Sequence, residues 1–194
     1  MSARSLYLIS ALFLGLATAL PVPAADTAAP PAVGRTFPAV ELPCPRDPTE
    51  LAYLGLPPGC REFSPTKLPA RLVILEVFSL SCPYCQEEAA KVNQLYELIA
   101  ARGLEDRIKL LGVGHGNVAS EVQMFKGDNQ VRFPLLPDPE ERIYDRLGRP
   151  YTPYFFVLDL ASHPPGRIVH AKLGRQPAPE KFLRELLAKT KLSR

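Results

Sequence analysis

Residues 72–86 read Leu-Val-Ile-Leu-Glu-Val-Phe-Ser-Leu-Ser-Cys-Pro-Tyr-Cys-Gln. Leu72 to Phe78 is an almost unbroken apolar run of strand length, as expected of a strand covered on both faces. From Gln86 the period changes. Ala89, Val92, Tyr96 and Ile99 recur every three to four residues, the stripe of a helix that runs to Arg102 and ends at Gly103. Cys82 and Cys85 therefore stand where a buried strand gives way to an amphipathic helix. Their spacing lets one helical turn bring both sulfurs within bonding reach, so a redox-active Cys82–Cys85 disulfide is expected. At a helix N-terminus the unpaired N–H groups and the dipole stabilise a thiolate, and the thiolate is the species that attacks disulfides. Cys82 is thus the expected nucleophile. Cys85, inside the first turn, is the shielded thiol that resolves a mixed disulfide. Pro83 suits the first helical turn.

Other uses of two cysteines at this spacing fit the chain less well. A zinc ribbon needs a second such pair, but Cys44 and Cys60 are 16 residues apart. Covalent haem attachment needs histidine after the second cysteine, and residue 86 is Gln. No metal site is expected. Glu76 is the odd residue of the strand. A carboxylate is expensive to bury, and burial raises its pKa toward neutrality. The alternative is an edge-strand or solvent-facing glutamate.

Downstream, Ile108 to Val113 reads as a second buried strand, broken by Gly114-His115-Gly116-Asn117. Gly112, Gly114 and Gly116 do not match a dinucleotide fingerprint and read as turn chemistry. His115 reads as a surface-loop histidine, with approach to the cysteines as the alternative. Val118 to Phe125 and Glu140 to Leu147 are short helices, and Arg132 to Leu136 is extended. Tyr154 to Leu160 is a strand, Ser162 to Gly166 a turn, and Arg167 to Lys172 the returning strand of a hairpin. Pro179 to Lys191 is a closing amphipathic helix with Phe182, Leu183, Leu186 and Leu187 inward. Alternating strands and helices of this kind make an α/β fold with a central mixed sheet.

Upstream, Arg4 followed by the uncharged stretch Ser5 to Leu20, then Pro21 and small residues to Ala25, reads as a signal peptide over residues 1–25. The stretch is short for a membrane span, and an uncleaved anchor is the alternative. Residues 26–33 read as a linker, and 34–194 as one domain with a turn-rich, Cys-bearing insertion at about 43–68. Proline is dense between Pro21 and Pro58. An exported chain meets oxidising conditions. Cys44 and Cys60 then read as a structural disulfide worth about 3 kcal/mol by loop entropy. A second relay pair or free thiols are the other options. The net charge of +3 across 194 residues, without a basic run, gives no ground for nucleic-acid binding.

Arg149-Pro150-Tyr151-Thr152-Pro153-Tyr154 leads into the late strand. A CxxC after a buried strand, a Thr-Pro before an apolar strand ending in Asp159, and a hairpin to Gly174 resemble the thioredoxin superfamily. More narrowly the chain resembles exported thiol–disulfide oxidoreductases of the TlpA/ResA type, whose sequences overlap the redoxin (peroxiredoxin-like) group. Phe133-Pro134-Leu135-Leu136-Pro137-Asp138 is similar to a segment of that group. The resemblance spans about residues 33–192 and is weak over 43–68. It implies a thioredoxin-like fold and a cis Pro153 facing the cysteines. It implies that the Thr152 backbone receives a substrate as an added strand. Glu76 stands where thioredoxins bury an acid that moves the proton of the second cysteine. Pro83 and Tyr84 hold the dipeptide that tunes potential, while Ser81 replaces the usual Trp. The implied function is a reductase of specific thiol- or disulfide-containing proteins, such as apocytochromes or copper-site proteins. It would be periplasmic and recharged by a membrane electron donor, and no dissociable cofactor is implied.

Three rivals remain open. A peroxiredoxin-like peroxidase is one, although Leu75 and Ser79 stand at the offsets where such enzymes place Pro and Thr before the peroxidatic cysteine. A copper- or haem-site chaperone using Cys82 and Cys85 as soft ligands is the second. An oxidase of the DsbA type is the third, against which stands the short segment between the CxxC helix and Thr152.

Overall fold

The apolar run at 72–78 becomes the middle strand of a five-stranded mixed sheet. The computed structural model describes residues 29–192, so the expected signal peptide and the first residues of the linker lie outside the described residues. In chain order the elements are β1 (Leu42–Pro43), α1 (Pro48–Leu54), β2 (Glu62–Phe63), β3 (Leu72–Phe78), α2 (Pro83–Ala101), β4 (Ile108–His115), α3 (Ala119–Asp128), β5 (Leu135–Asp138), α4 (Arg142–Arg146), β6 (Tyr154–Asp159), β7 (Arg167–Leu173) and α5 (Pro179–Thr190). A short 3-10 turn covers Pro65–Lys67.

The sheet order is β5-β4-β3-β6-β7. β3, β4 and β5 run parallel, and β6 and β7 are antiparallel additions. Every residue of β3 is buried, which accounts for a continuous apolar run instead of an alternating one. Side chains still alternate between faces. Leu72, Ile74 and Phe78 pack with Cys85, Ala89 and Val92 of α2 and with Phe182, Leu183 and Leu186 of α5. Val73, Leu75 and Val77 pack on the other face with Leu54, Ile143, Tyr144, Phe37 and Leu42. Glu76 has the parity of the first set, so its carboxyl projects toward α2.

The residues ahead of β1 meet the five-stranded sheet along one short stretch. Thr36 makes a single bridge to Arg167, and Gly34 N and Phe37 N donate to Ile168 O and Gly166 O. These bonds run along the outer edge of β7. The Ala32 carbonyl accepts from Arg35 N.

Residues 43–68 are more ordered than their turn-rich composition implies. β1 and β2 pair antiparallel, and α1 stands between them. Asp47 caps α1 by accepting from Thr49 N at 2.7 Å, and Gly55 closes it at φ +69°. Tyr53 explains the placement of this helix. β5 pairs with β4 only from Gly112 onward, so the earlier half of β4 has an open edge. The Tyr53 hydroxyl accepts from Leu110 N there at 2.9 Å. Tyr53 also meets the Tyr96 ring edge-on and lies under the Lys109 ammonium.

β4 runs two residues beyond its expected end. Gly112 and Gly114 are strand residues and not turn residues, and their missing side chains make room for Phe78. A Cβ on Gly114 would lie 3.0 Å from Phe78 Cζ, and one on Gly112 would lie 2.5 Å from Leu135 Cδ2. Gly116, at φ +67°, makes the turn. β5 starts at Leu135, three residues later than expected. It ends at Asp138, whose buried carboxylate accepts from Ile143 N and Tyr144 N and so caps α4.

Candidate active site

Strand β3 delivers the chain to residues 79–81, and α2 starts immediately after. Two bonds fix this short connection. Leu80 N donates to Asn117 Oδ1 at 2.8 Å, and Gln86 Nε2 donates to Leu80 O at 2.9 Å. Cys82 is the N-cap of α2, and its Sγ accepts from Cys85 N at 3.2 Å. Thr152 O, in the loop before β6, lies 3.5 Å from Cys82 Sγ and accepts from the thiol. Thr152-Pro153 is a cis peptide, and Gly174 N donates to Pro153 O at 2.8 Å. Pro83 occupies the first turn of α2. Cys82 and Cys85 are both thiols, the reduced half of the expected couple.

The two sulfurs sit in different surroundings. Cys82 is half-buried at the surface end of the helix, whereas Cys85 is fully buried. Burial pushes the Cys85 thiol well above its ordinary range, and its contact with Cys82 and the nearby Glu76 add to the rise. Glu76 is itself only 4% exposed. Burial first, and then the carboxylate of Glu88, push its pKa up to about 8.

Glu88 is a residue the sequence reading passed over. It lies on α2 three residues after Cys85 and is buried. Its Oε1 accepts from Gln176 N at 2.8 Å, and Lys91 Nζ is 3.5 Å from Oε2. The available signal was an acid at the i+3 position of the inward stripe through Cys85, Ala89 and Val92. A second carboxylate, Glu87, pairs with Arg175. Together the two acids fasten the segment after β7 to α2.

A cleft of about 790 Å³ opens over Cys82. Ser79, Ser81, Cys82, Tyr84, Thr152 and Pro153 line it, joined by His115, Tyr151, Leu173, Gly174 and Arg175. Tyr84, Tyr151 and Leu173 present exposed apolar surface around it. His115 is therefore not a free surface-loop residue. Because β4 continues to residue 115, the imidazole ends the strand at the cleft wall, with 18% of its side chain exposed. Asn117, which anchors Leu80, was likewise not foreseen. Its only sequence signal was its place in the loop after β4.

Cys44 and Cys60 are bonded to each other, with Cα atoms 5.8 Å apart. They pack against the cluster on the face of the sheet opposite Cys85. Among the described residues no three His, Cys, Asp or Glu side chains come together as a group that could hold a metal ion.

Comparison with known proteins agrees with this geometry. A candidate thiol:disulfide interchange protein, DsbE, from Chlorobium tepidum superposes with a TM-score of 0.61 at 18% identity, covering 82% of this chain and 98% of that one. The thioredoxin domain of a thiol-disulfide oxidoreductase from Bacteroides vulgatus gives 0.59 at 14% identity, covering 80% and 97%. A secreted Mycobacterium tuberculosis disulfide oxidoreductase homologous to E. coli DsbE gives 0.50 at 19% identity, covering 69% and 90%. No curated protein sequence matches significantly. These superpositions show a thioredoxin-like fold. The sequence itself matches the AhpC/TSA family over residues 33–163, more than half of its length. With Cys82 capping α2 opposite a cis-proline loop on that fold, the chain belongs to the AhpC/TSA family.

Proposed function

We propose that this protein is an exported thiol–disulfide oxidoreductase that reduces disulfides in specific protein partners through Cys82 and Cys85. The observation that carries the reading is the asymmetric cysteine pair. One thiol caps a helix at the floor of an open cleft, and the other is buried one turn later beside a protonatable acid.

The steps follow from that asymmetry. The Cys82 thiolate attacks a substrate disulfide. The Cys82–substrate bond forms as the substrate S–S bond breaks, and one substrate thiol leaves. Cys85 then loses its proton to ionised Glu76 and attacks Cys82 Sγ. The departing sulfur takes that proton from Glu76 and leaves as the second substrate thiol, and the Cys82–Cys85 disulfide remains. Two electrons and two protons have passed to the substrate. The cis Pro153 presents the Thr152 carbonyl at the cleft, where an extended substrate segment pairs with it. Pro83 and Tyr84 form part of the docking surface. A membrane thiol–disulfide donor would return the pair to dithiol. The apolar N-terminal stretch supports export to the periplasm, with residues 1–25 as leader and 26–33 as linker. No helix among the described residues is long and apolar enough to cross a membrane. Cys44–Cys60, on the opposite face, is read as a structural staple.

Family membership favours one second reading, a peroxidase. One experiment separates the two. The reduced protein is mixed with insulin or with hydrogen peroxide, and Cys85→Ser is run beside it. The reductase reading expects insulin disulfides to be reduced, Cys85→Ser to accumulate a mixed disulfide with insulin, and peroxide to be consumed slowly. Rapid stoichiometric peroxide consumption with no insulin reduction would establish the peroxidase instead.

A further inference from the structure

His115 lies outside the cysteine chemistry just described, yet it is held in place from several sides. Its Nδ1 lies 3.2 Å from Glu141 Oε1. Its ring stacks flat on Tyr144, with centroids 4.0 Å apart and an interplanar angle of 9°. Arg149 Nη2 donates to the other oxygen of Glu141 at 2.6 Å, and the Arg149 guanidinium also covers the Tyr144 ring. Arg149 first, and then His115, hold the Glu141 carboxyl below the usual carboxylate range.

The backbone around this cluster is strained. Glu141 and Arg149 both adopt left-handed conformations, at φ +55° and +48°, although neither is glycine. Such conformations are unfavourable for residues with a side chain and collect at functional sites. Tyr144 connects the cluster to the substrate loop, because its hydroxyl donates to Pro150 O at 3.0 Å. The same residues thus fix both the imidazole and the approach to Pro153.

An ionised Glu141 accepts a hydrogen bond from Nδ1–H and so orients the ring. Nε2 is then the ring nitrogen left for whatever enters the cleft. Cys82, Tyr84, Tyr151 and Arg175 line the same cleft as this ring, while Glu141 and Tyr144 contact it from behind, backed by Arg149 and Asp145.

We propose that His115 is the general acid for the first exchange step, protonating the substrate sulfur that leaves when Cys82 attacks. This rests on the thiol–disulfide reading above and adds a residue to it. As the Cys82–sulfur bond forms and the substrate S–S bond breaks, the bonding pair moves to the departing sulfur. The ring acts as its imidazolium, and its Nε2 proton passes to that sulfur, giving a neutral thiol. The ring keeps its Nδ1 proton against Glu141 and regains the other from water. Glu141 is a positioning residue, because it acts only through His115.

The leaving group provides the test. A departing aliphatic thiol gains from protonation, whereas a strongly acidic aromatic thiol leaves without it. Single-turnover rates of the reduced full chain are measured with glutathione disulfide and with 5,5′-dithiobis(2-nitrobenzoate), for the wild type, His115→Gln and Glu141→Gln. His115→Gln is expected to slow the glutathione disulfide reaction tenfold or more and the aromatic reaction far less. The ratio of the two rates then rises about tenfold, and Glu141→Gln shifts it the same way by a smaller factor. Equal slowing of both substrates, or no slowing of either, overturns the proposal and leaves a structural histidine. If the wild type attacks neither disulfide while Cys82 remains a free thiol, the oxidoreductase reading itself fails, a result distinct from any His115 effect.

Discussion

Glu76 is a carboxyl group on a strand with no exposed residue, and its protonation would connect stability to the proton transfer proposed for it. Its pKa rises on folding from an ordinary 4.5 to about 8. The folded chain therefore keeps a proton that the unfolded chain loses as pH rises from 4.5. Stability falls across that window and levels off above about 8. Glu76→Gln removes this loss, so urea unfolding at pH 5 and pH 8 should show a smaller difference for the variant, by up to about 4 kcal/mol. The same substitution should slow release of the mixed disulfide about tenfold or more near pH 7. In the wild type that release should accelerate as pH rises through about 8. A variant with unchanged pH dependence would show that Glu76 takes no part. The locally misplaced charge in LVILEVF made this residue legible. Glu88 was not, because an acid in a helix reads as solvated unless the inward stripe is followed through it. His115 was misread for a related reason. Its exposure depends on where β4 ends, and glycines that look like turn residues here make room for Phe78.

At the scale of elements, local chemistry marked the parts that carry the site. β3, α2, the hairpin β6–β7 and α5 follow from apolar runs, a 3.6-residue period and a turn signal, each visible in a short window. The insertion at 43–68 was opaque, because its order comes from distant partners. Tyr53 reaches across to Leu110 N, and Glu50 pairs with Lys126 of α3. α1 thus takes the place of a missing strand beside β4 and covers an edge that would otherwise present unpaired backbone. Cys44–Cys60 closes the loop that carries it. If that bond is a staple, the Cys44→Ser/Cys60→Ser double variant should lose about 3 kcal/mol of stability in urea unfolding. Its Cys82–Cys85 potential should remain that of the wild type. A shifted potential, or loss of cycling, would make the second pair a relay.

Across the whole molecule, the sheet order and the clusters on its two faces separate the cysteines by task. One pair opens into a cleft at the C-terminal end of β3, and the other lies on the opposite face, where we read it as a staple. A small positive net charge implies no strong electrostatic steering, so the proposed recognition would rest on the cleft and its exposed Tyr84, Tyr151 and Leu173. The thioredoxin-like fold was legible from a strand, a CxxC helix and a Thr-Pro strand in order. The cleft was not, because its walls come from four separate segments that only the folded chain brings together. The proposed function requires Cys82 and Cys85 to form a cycling two-electron couple with reducing power. It is tested most directly by equilibrating the full chain in thiol–disulfide buffers, with Cys82→Ser beside it, and measuring the fraction of Cys82–Cys85 disulfide. A single two-electron transition is expected, absent in the variant, nearer to the roughly −270 mV of thioredoxin than to the roughly −120 mV of a strong oxidase. A transition at the oxidase end would reverse the proposed direction of electron flow, and a pair that never cycles would contradict the account.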